Sequence, residues 1–347
     1  MQYKLFGKSG LRVSELCLGT MGFGTDWNWG ADKDASKAVF DLFANAGGNF
    51  IDTANLYTDG TSERFLGDFI AADRDHFVIA TKYSLKDRNG DPNFAGNQRK
   101  NMMRSVNESL RRLQTDYIDL LWVHAWDALT PTEEIMRGLD DLVSSGKVHY
   151  IGISDTPAWV VSQANTLAHF RGWAQFVGLQ VEYSLIQRTV EPEMFPMAQA
   201  YGMTVTPWAP LAGGALTGKY LKGDTGRLKE TSVRLGDRAV TITKKVVEIA
   251  ERMGVSAAQL AVNWTRQHEG SSVIPIVGAT KPQQMEDVLG CVNFVIPAAE
   301  MAELNAISAI DLPFPQRFLE ENGVKDVLFA QTLDQIQQPA NKMARLV

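Results

Sequence analysis

Short apolar runs alternate with amphipathic stretches along most of the chain. Residues 16–20, 48–52, 77–81, 117–123, 148–154, 176–181, 203–208 and 272–277 are each too short for a solitary helix and bounded like buried strands. Between them, apolar positions recur at helical spacing. Ala35, Ala38, Val39, Leu42, Phe43 and Ala46 share one face of a predicted helix over 34–46. Thr61-Ser62-Glu63-Arg64 opens a second helix carrying Phe65, Leu66, Phe69 and Ile70, and Met102, Val106, Leu110 and Leu113 point inward from a third over 98–113. Further helices are predicted over 131–143, 156–170, 191–201, 238–253, 256–267, 283–289 and 298–310. Ahead of all this, residues 3–6 and 11–15 flank Gly7-Lys8-Ser9-Gly10, a β-hairpin signal.

The eight strand candidates alternate with helices, and no Asn-Gly or Asp-Gly turn joins any adjacent pair. That pattern predicts an α/β chain with a parallel sheet, and eight repeats over residues 1–310 predict a (β/α)8 TIM barrel behind an N-terminal hairpin. A doubly wound open sheet would show Gly-x-Gly-x-x-Gly after its first strand. Gly19-Thr20-Met21-Gly22-Phe23-Gly24 spaces its glycines differently. Residues 311–347 fall outside the repeat. Pro313 and Pro315 interrupt it, and a loose helix is predicted over 318–329. This C-terminal extension is not a separate domain and reads as a surface appendage, with a cover for the barrel mouth as the alternative.

Composition narrows the class without changing the fold. The 347 residues are 45% hydrophobic and 21% charged, with a formal charge of −6. No basic stripe supports nucleic-acid binding. No apolar run approaches the roughly 20 residues of a membrane helix. Residues 1–6 alternate instead of forming a charged-then-apolar leader, so no secretory signal is expected. Cys17 and Cys291 sit far apart in apolar surroundings and read as buried reduced thiols, which predicts a cytoplasmic protein. His76, His149, His169 and His268 lack any metal-ligand spacing, so no metal site is predicted.

Candidate chemistry gathers at strand ends. Asp52 ends the second core strand, with Tyr57 five residues later; Lys82 ends the third and His124 the fourth. Strand C-terminal ends are where barrels place reactive groups. A phenol has an ordinary pKa near 10, and a lysine at hydrogen-bond range is expected to lower it by roughly 1–3 units. Lys82 is that cation, Asp52 its anchor, and His124 a second group for a substrate oxygen. The plainer reading, a structural Asp52–Lys82 ion pair, stands beside it. Trp27 and Trp29, with Met21 and Phe23, lie on a glycine-rich loop that either lines an apolar pocket or packs on the rim. Gly213-Gly214-Ala215-Leu216-Thr217-Gly218-Lys219-Tyr220 nearly matches a nucleotide phosphate loop, but Tyr220 replaces the magnesium-binding hydroxyl. With Gly278-Ala279-Thr280-Lys281-Pro282, it follows strands seven and eight, where barrels commonly bind phosphate.

At these residues the chain resembles the aldo-keto reductase family, and within it the aryl-alcohol dehydrogenase-like branch. The blocks NFIDTANLY, FVIATK and DLLWVH are similar to those of the family's catalytic tetrad, which implies Asp52, Tyr57 as proton donor, Lys82 and His124. GKVHYIGISD implies that Ser154 and Asp155 hold the nicotinamide amide, with Asp155 where many members have asparagine. Gln180 matches a further amide contact and Tyr183 the aromatic stacked on the ring. PWAPLAGGALTGKY implies pyrophosphate contacts from Trp208, Ala209, Pro210, Leu211, Gly213 and Lys219, with Ala209 where serine is frequent. VGATKPQQMEDV implies Gly278, Thr280, Lys281, Gln284 and Asp287 for the 2′-phosphate and adenine. Gly19, Thr20, Met21 and Asp52 complete the cofactor candidates. Phe23, Trp27, Trp29, His124 and Trp126 are the substrate candidates.

The resemblance implies hydride transfer between NADPH (NADP+) and an aldehyde or ketone, with NADPH favoured over NADH and no metal. The expected partner is a small carbonyl compound, with aromatic ones suited to the walls. Neither nucleic acid nor membrane is expected, and oligomeric state is not legible. Some proteins of this fold serve as cofactor-sensing regulatory subunits of ion channels, and that alternative stays open at this point.

Overall fold

The eight apolar runs form one parallel ring. The computed structural model describes residues 1–224, 226, 228, 229, 231–268 and 270–337. Its N-terminal hairpin pairs β1 (Tyr3–Leu5) with β2 (Arg12–Ser14), Tyr3 opposite Ser14. The ring comprises β3 (Cys17–Gly19), β4 (Phe50–Asp52), β5 (Val78–Tyr83), β6 (Ile118–Val123), β7 (Val148–Ser154), β8 (Phe176–Glu182), β9 (Thr204–Trp208) and β10 (Ile276–Val277). From β3 to β9 each strand pairs in parallel with the next in sequence, and β10 pairs with β3. Closure comes from Val205, whose N–H reaches the Ser272 carbonyl at 2.8 Å while its carbonyl accepts from Ile274 at 2.9 Å. The sequence expectation of a (β/α)8 barrel is met. The first and last strands are shorter than their apolar runs.

Among the described residues, ten α-helices surround or follow the strands through residue 307: α1 (Lys33–Asn45), α2 (Thr61–Ile70), α3 (Arg99–Leu113), α4 (Thr132–Ser144), α5 (Ala158–Arg171), α6 (Met194–Ala200), α7 (Asp237–Met253), α8 (Ala257–Arg266), α9 (Pro282–Leu289) and α10 (Ala298–Ile307). Local chemistry sets their starts. Asp32 caps α1 by accepting from Ala35 N–H, and Ser256 with Gln259 forms a reciprocal capping box on α8. Helix α6 begins three residues later than expected, because Glu191 belongs to a turn closed on the Arg188 carbonyl. The predicted tail helix is two short ones, α11 (Gln316–Glu320) and α12 (Asn322–Leu328), separated at extended Glu321. Residues 338–347 of the extension lie outside the described residues. Among those described, no helix is long and apolar enough to cross a membrane.

The barrel interior is filled from one end by side chains. Phe6, in the hairpin turn, packs edge-on against Phe50 at 5.4 Å and Trp122 at 6.2 Å. Trp122, Gly152 and Gly178 are register neighbours across three strands. The missing side chains at Gly152 and Gly178 admit the indole; an added Cβ at Gly178 would stand 2.6 Å from Phe6 and 2.8 Å from Trp122. Large and small residues thus alternate within one layer and close the hairpin end of the barrel. The opposite, C-terminal end of the strands stays open to chemistry.

Candidate active site

Lys82 is the centre of the mouth. Its side chain is fully buried, and its three donors find three acceptors: Asp52 Oδ2 at 2.5 Å, the Thr53 carbonyl at 2.7 Å and the Tyr57 hydroxyl at 3.2 Å. The other Asp52 oxygen accepts from Gln180 Nε2 at 3.0 Å. Asp52 therefore reaches Tyr57 only through Lys82. Tyr57 stands in a short turn after β4, its ring edge-on to His124 at 6.0 Å and to Trp27 at 6.5 Å. The structure brings all four residues of the predicted constellation together.

Burial sets the protonation states. It pulls Lys82 down, but the Asp52 carboxylate and the Tyr57 oxygen overcome it and hold the ammonium above its ordinary 10.5. Burial likewise pushes the Asp52 carboxyl up, against Lys82 and Gln180. Tyr57 differs from the sequence expectation. Its hydroxyl is raised above 10 because burial outweighs the opposing pull of Lys82. The phenol is thus held protonated at neutral pH, the form a proton donor requires. Burial, then the Lys82 charge, lowers His124 well below 6.5, so its imidazole is neutral. His124 Nδ1 is buried without a hydrogen-bond partner.

The adjoining strand ends carry the candidates for a cofactor. Ser154 ends β7 opposite Gln180 of β8, and its buried hydroxyl has no partner. Asp155, left-handed at φ 42°, accepts from Trp208 Nε1 at 3.1 Å, which pins the indole at the end of β9. Ala209, Ala212, Gly213 and Gly214 are all left-handed, so the chain after β9 curls tightly around Pro210 and Leu211. The Lys219 ammonium lies 3.2 Å from where a Gly214 Cβ would stand. After β10 the Gln284 side chain accepts from the N–H groups of Thr280 and Lys281 at 3.0 and 3.2 Å and opens α9. Thr280 also touches the β3 loop, 3.1 Å from where a Gly22 Cβ would be. Lys281 and Gln284 are exposed. A partnerless buried hydroxyl, a left-handed glycine pair beside an ammonium and an exposed lysine at a helix start fit a phosphate-bearing dinucleotide.

Several expectations need correction. Tyr183 is fully buried and faces away from the mouth: its hydroxyl donates to Glu191 at 2.5 Å and its ring packs on Phe195 and Trp264. It has no face to offer a nicotinamide, and Trp208 is the aromatic at the strand end. Strand alternation carries the signal, since Gln180 and Tyr183 lie an odd number of residues apart and so point to opposite faces. Phe23 is fully buried against Phe69, so its ring is packed in the core and not exposed at the mouth. Thr20 spends its hydroxyl on the Asp52 carbonyl at 3.0 Å and Ser62 at 2.8 Å. Asp287 accepts from Ser256 at 3.0 Å and Gln259 at 3.1 Å, which ties it to the start of α8. Gly19 is a packing position, because a Cβ there would meet Ile276 at 2.6 Å. Met21 remains half-buried on the β3 loop.

Among the wall residues, Trp27 and Trp29 pair at 6.2 Å beside Tyr57, while Trp126 packs edge-on against exposed Trp159 at 5.6 Å. Sequence reading missed Glu63 and Arg112, charged residues inside helices α2 and α3: Glu63 is fully buried, Arg112 largely so, and the two pair behind Tyr57. It also missed Arg234, which donates to Glu182 at 2.6 Å and stands 5.7 Å from the Trp208 ring. That contact ties the polar loop after β9 back to the mouth, and loop polarity alone gives no sign of it.

Comparison with known proteins agrees with this architecture. Residues 15–309 match the model of the aldo/keto reductase family. The chain is 38% identical over 327 residues to a norsolorinic acid reductase of Emericella nidulans, covering 90% of this chain and 83% of that protein. It is 38% identical over 329 residues to the NADP(+) aryl-alcohol dehydrogenase of Phanerodontia chrysosporium, covering 88% and 85%. An aryl-alcohol dehydrogenase of Pestalotiopsis microspora is 36% identical over 323 residues, covering 90% and 84%.

Proposed function

The chain belongs to the aldo/keto reductase family, and we propose that it is an oxidoreductase interconverting an aldehyde or ketone with its alcohol, using NADPH. When bound, the cofactor supplies the hydride for the carbonyl carbon. Tyr57 gives its phenolic proton to the carbonyl oxygen as negative charge gathers there. New C–H and O–H bonds would form at the carbonyl as its π bond, the Tyr57 O–H bond and the C–H bond of the hydride donor break, NADPH being oxidised to NADP+ as the carbonyl is reduced. The Lys82 charge stabilises the phenolate left behind, and Asp52 keeps Lys82 charged and in place. The neutral His124 ring donates a second hydrogen bond to the same oxygen, an arrangement of the oxyanion type.

Ser154, Asp155 and Gln180 would hold the nicotinamide amide, and Trp208 would supply the aromatic for its ring. Gly213 and Lys219 take the diphosphate; Thr280, Lys281 and Gln284 take the 2′-phosphate and adenine. The exposed Lys281 favours NADPH over NADH, in keeping with the NADP(+) in one relative's name. Trp27, Trp29 and Trp126 suit an aromatic carbonyl, in keeping with the aryl-alcohol dehydrogenases among the relatives. The buried free thiols of Cys17 and Cys291 suit a reducing cytoplasm.

The observation that carries the reading is the Lys82 ammonium held between Asp52 and the Tyr57 hydroxyl. Its test is Tyr57→Phe, assayed by loss of NADPH absorbance on adding an aromatic aldehyde. Turnover should fall by about 10²–10⁴-fold while NADPH affinity changes little. Turnover retained by the variant would sink the assignment.

A further inference from the structure

Behind Tyr57 lies a polar assembly that carbonyl reduction does not itself use. The three residues after Tyr57 are left-handed in succession: Thr58 at φ 47°, Asp59 at φ 52° and Gly60 at φ 83°. Two adjacent non-glycine residues hold that conformation only where the surroundings impose it. Glu63, fully buried on α2, accepts from Thr81 Oγ1 at 2.7 Å and from Arg112 Nη1 at 3.2 Å. The same Nη1 donates to the Asn55 carbonyl at 2.9 Å, and Arg112 Nε donates to Glu108 at 3.2 Å. The guanidinium also fills the space beside Gly60, where an added Cβ would stand 2.6 Å from its central carbon.

Two chain positions are gripped at once. Thr81 precedes Lys82 directly, and Asn55 lies two residues before Tyr57. One ion pair, its carboxylate fully buried and its guanidinium largely so, therefore fixes both sides of the Lys82–Tyr57 contact from outside the mouth. A buried carboxylate is costly to keep and is found paired. Here its pairing is spent on two backbone segments of the site. We propose that Arg112 and Glu63 are positioning residues that set the distance between the Lys82 ammonium and the Tyr57 hydroxyl. The proposal rests on the role given to Tyr57 above.

The charged and titratable groups facing Tyr57 are Lys82 from β5, Asp52 from β4, His124 after β6 and Asp155 after β7. Arg112 and Glu63 touch its loop and its neighbour's strand instead. Loosening them lengthens the Lys82–Tyr57 contact and weakens the pull of the Lys82 charge on the phenol. The phenol's pKa should then rise.

Two variants test this in the full chain, Arg112→Met and the milder Thr81→Val, which removes only the hydrogen bond to Glu63. Tyr57 ionisation is read by NMR of ring-labelled tyrosine, with Tyr57→Phe identifying the resonance. Its pKa should rise by about half a unit to one unit as the charge moves away. In carbonyl reduction, Arg112→Met should lower kcat by about ten- to a hundredfold with KM little changed, the alkaline limb moving to higher pH. Arg112→Lys, which keeps the charge, should recover part of that loss. Folded variants whose Tyr57 titrates as in the wild type would overturn the proposal; if Arg112→Met does not fold, Thr81→Val decides by the same reading. A wild-type chain without turnover sinks the carbonyl-reduction reading alone, because the titration still decides the positioning role.

Discussion

Lys82 holds the Tyr57 hydroxyl at 3.2 Å with the same ammonium that grips Asp52 at 2.5 Å. The lysine is thus both counter-ion and hydrogen-bond donor, and its charge depends on a carboxylate that never touches the phenol. Removing that carboxylate should act through Lys82.

Asp52→Asn keeps the shape and removes the charge that raises Lys82 against burial. The Lys82 pKa should fall, and the alkaline limb of kcat/KM should move to lower pH. Lys82 is raised in the folded state, so its ionised form stabilises the fold throughout neutral pH. That contribution is lost only as pH rises through the folded value, above 10.5. In the Asp52→Asn variant that stabilising contribution should shrink across the neutral range, read as a lower melting temperature at pH 7. An unchanged alkaline limb would show that Lys82 does not depend on Asp52.

His124 is held neutral by burial and by Lys82, well below its ordinary 6.5. Activity between pH 6 and 8, a range about the ordinary histidine pKa, should therefore show no acid limb from this ring. The unfolded chain binds the proton that the folded chain refuses, so stability should fall as pH drops below about 6.5. His124→Phe should flatten that fall in melts taken from pH 7 downward. An acid limb near 6.5 that disappears in the variant would contradict a neutral ring.

Trp208 and Tyr183 separate two readings of the ring-facing aromatic. Trp208→Ala should weaken NADPH binding, by about tenfold if the stack contributes the ~1.4 kcal/mol of a strong aromatic contact. Tyr183→Phe should leave affinity unchanged and lower stability modestly, because it removes one donor from half-buried Glu191, which keeps its bonds from Arg188. Fluorescence titration and melting of both variants check this. A Tyr183→Phe protein with weakened NADPH binding would reverse the assignment.

Lys281, exposed at the start of α9, should discriminate between cofactors. Lys281→Ala is expected to weaken NADPH by about tenfold, the worth of one charge-assisted hydrogen bond, and to leave NADH as before. Titration with both cofactors measures the ratio. Equal losses for the two would place Lys281 away from the 2′-phosphate.

The sequence by itself determined the eight strands, their order and the ionisable residues at their ends. Those features are written in short-range periodicity, and a parallel barrel places successive strand ends side by side. Orientation beyond the strand ends was decided by packing. Phe23 turned into the core against Phe69, and Tyr183 turned outward onto Phe195 and Trp264. Nor do residue types predict how far burial outweighs a neighbouring charge, which is why Tyr57 is raised and not lowered. Glu63 and Arg112 meet from separate helices, 49 residues apart, behind a turn that their contact braces. Such pairs exist only once the helices are packed on the barrel, because neither residue's surroundings are set by its neighbours in sequence.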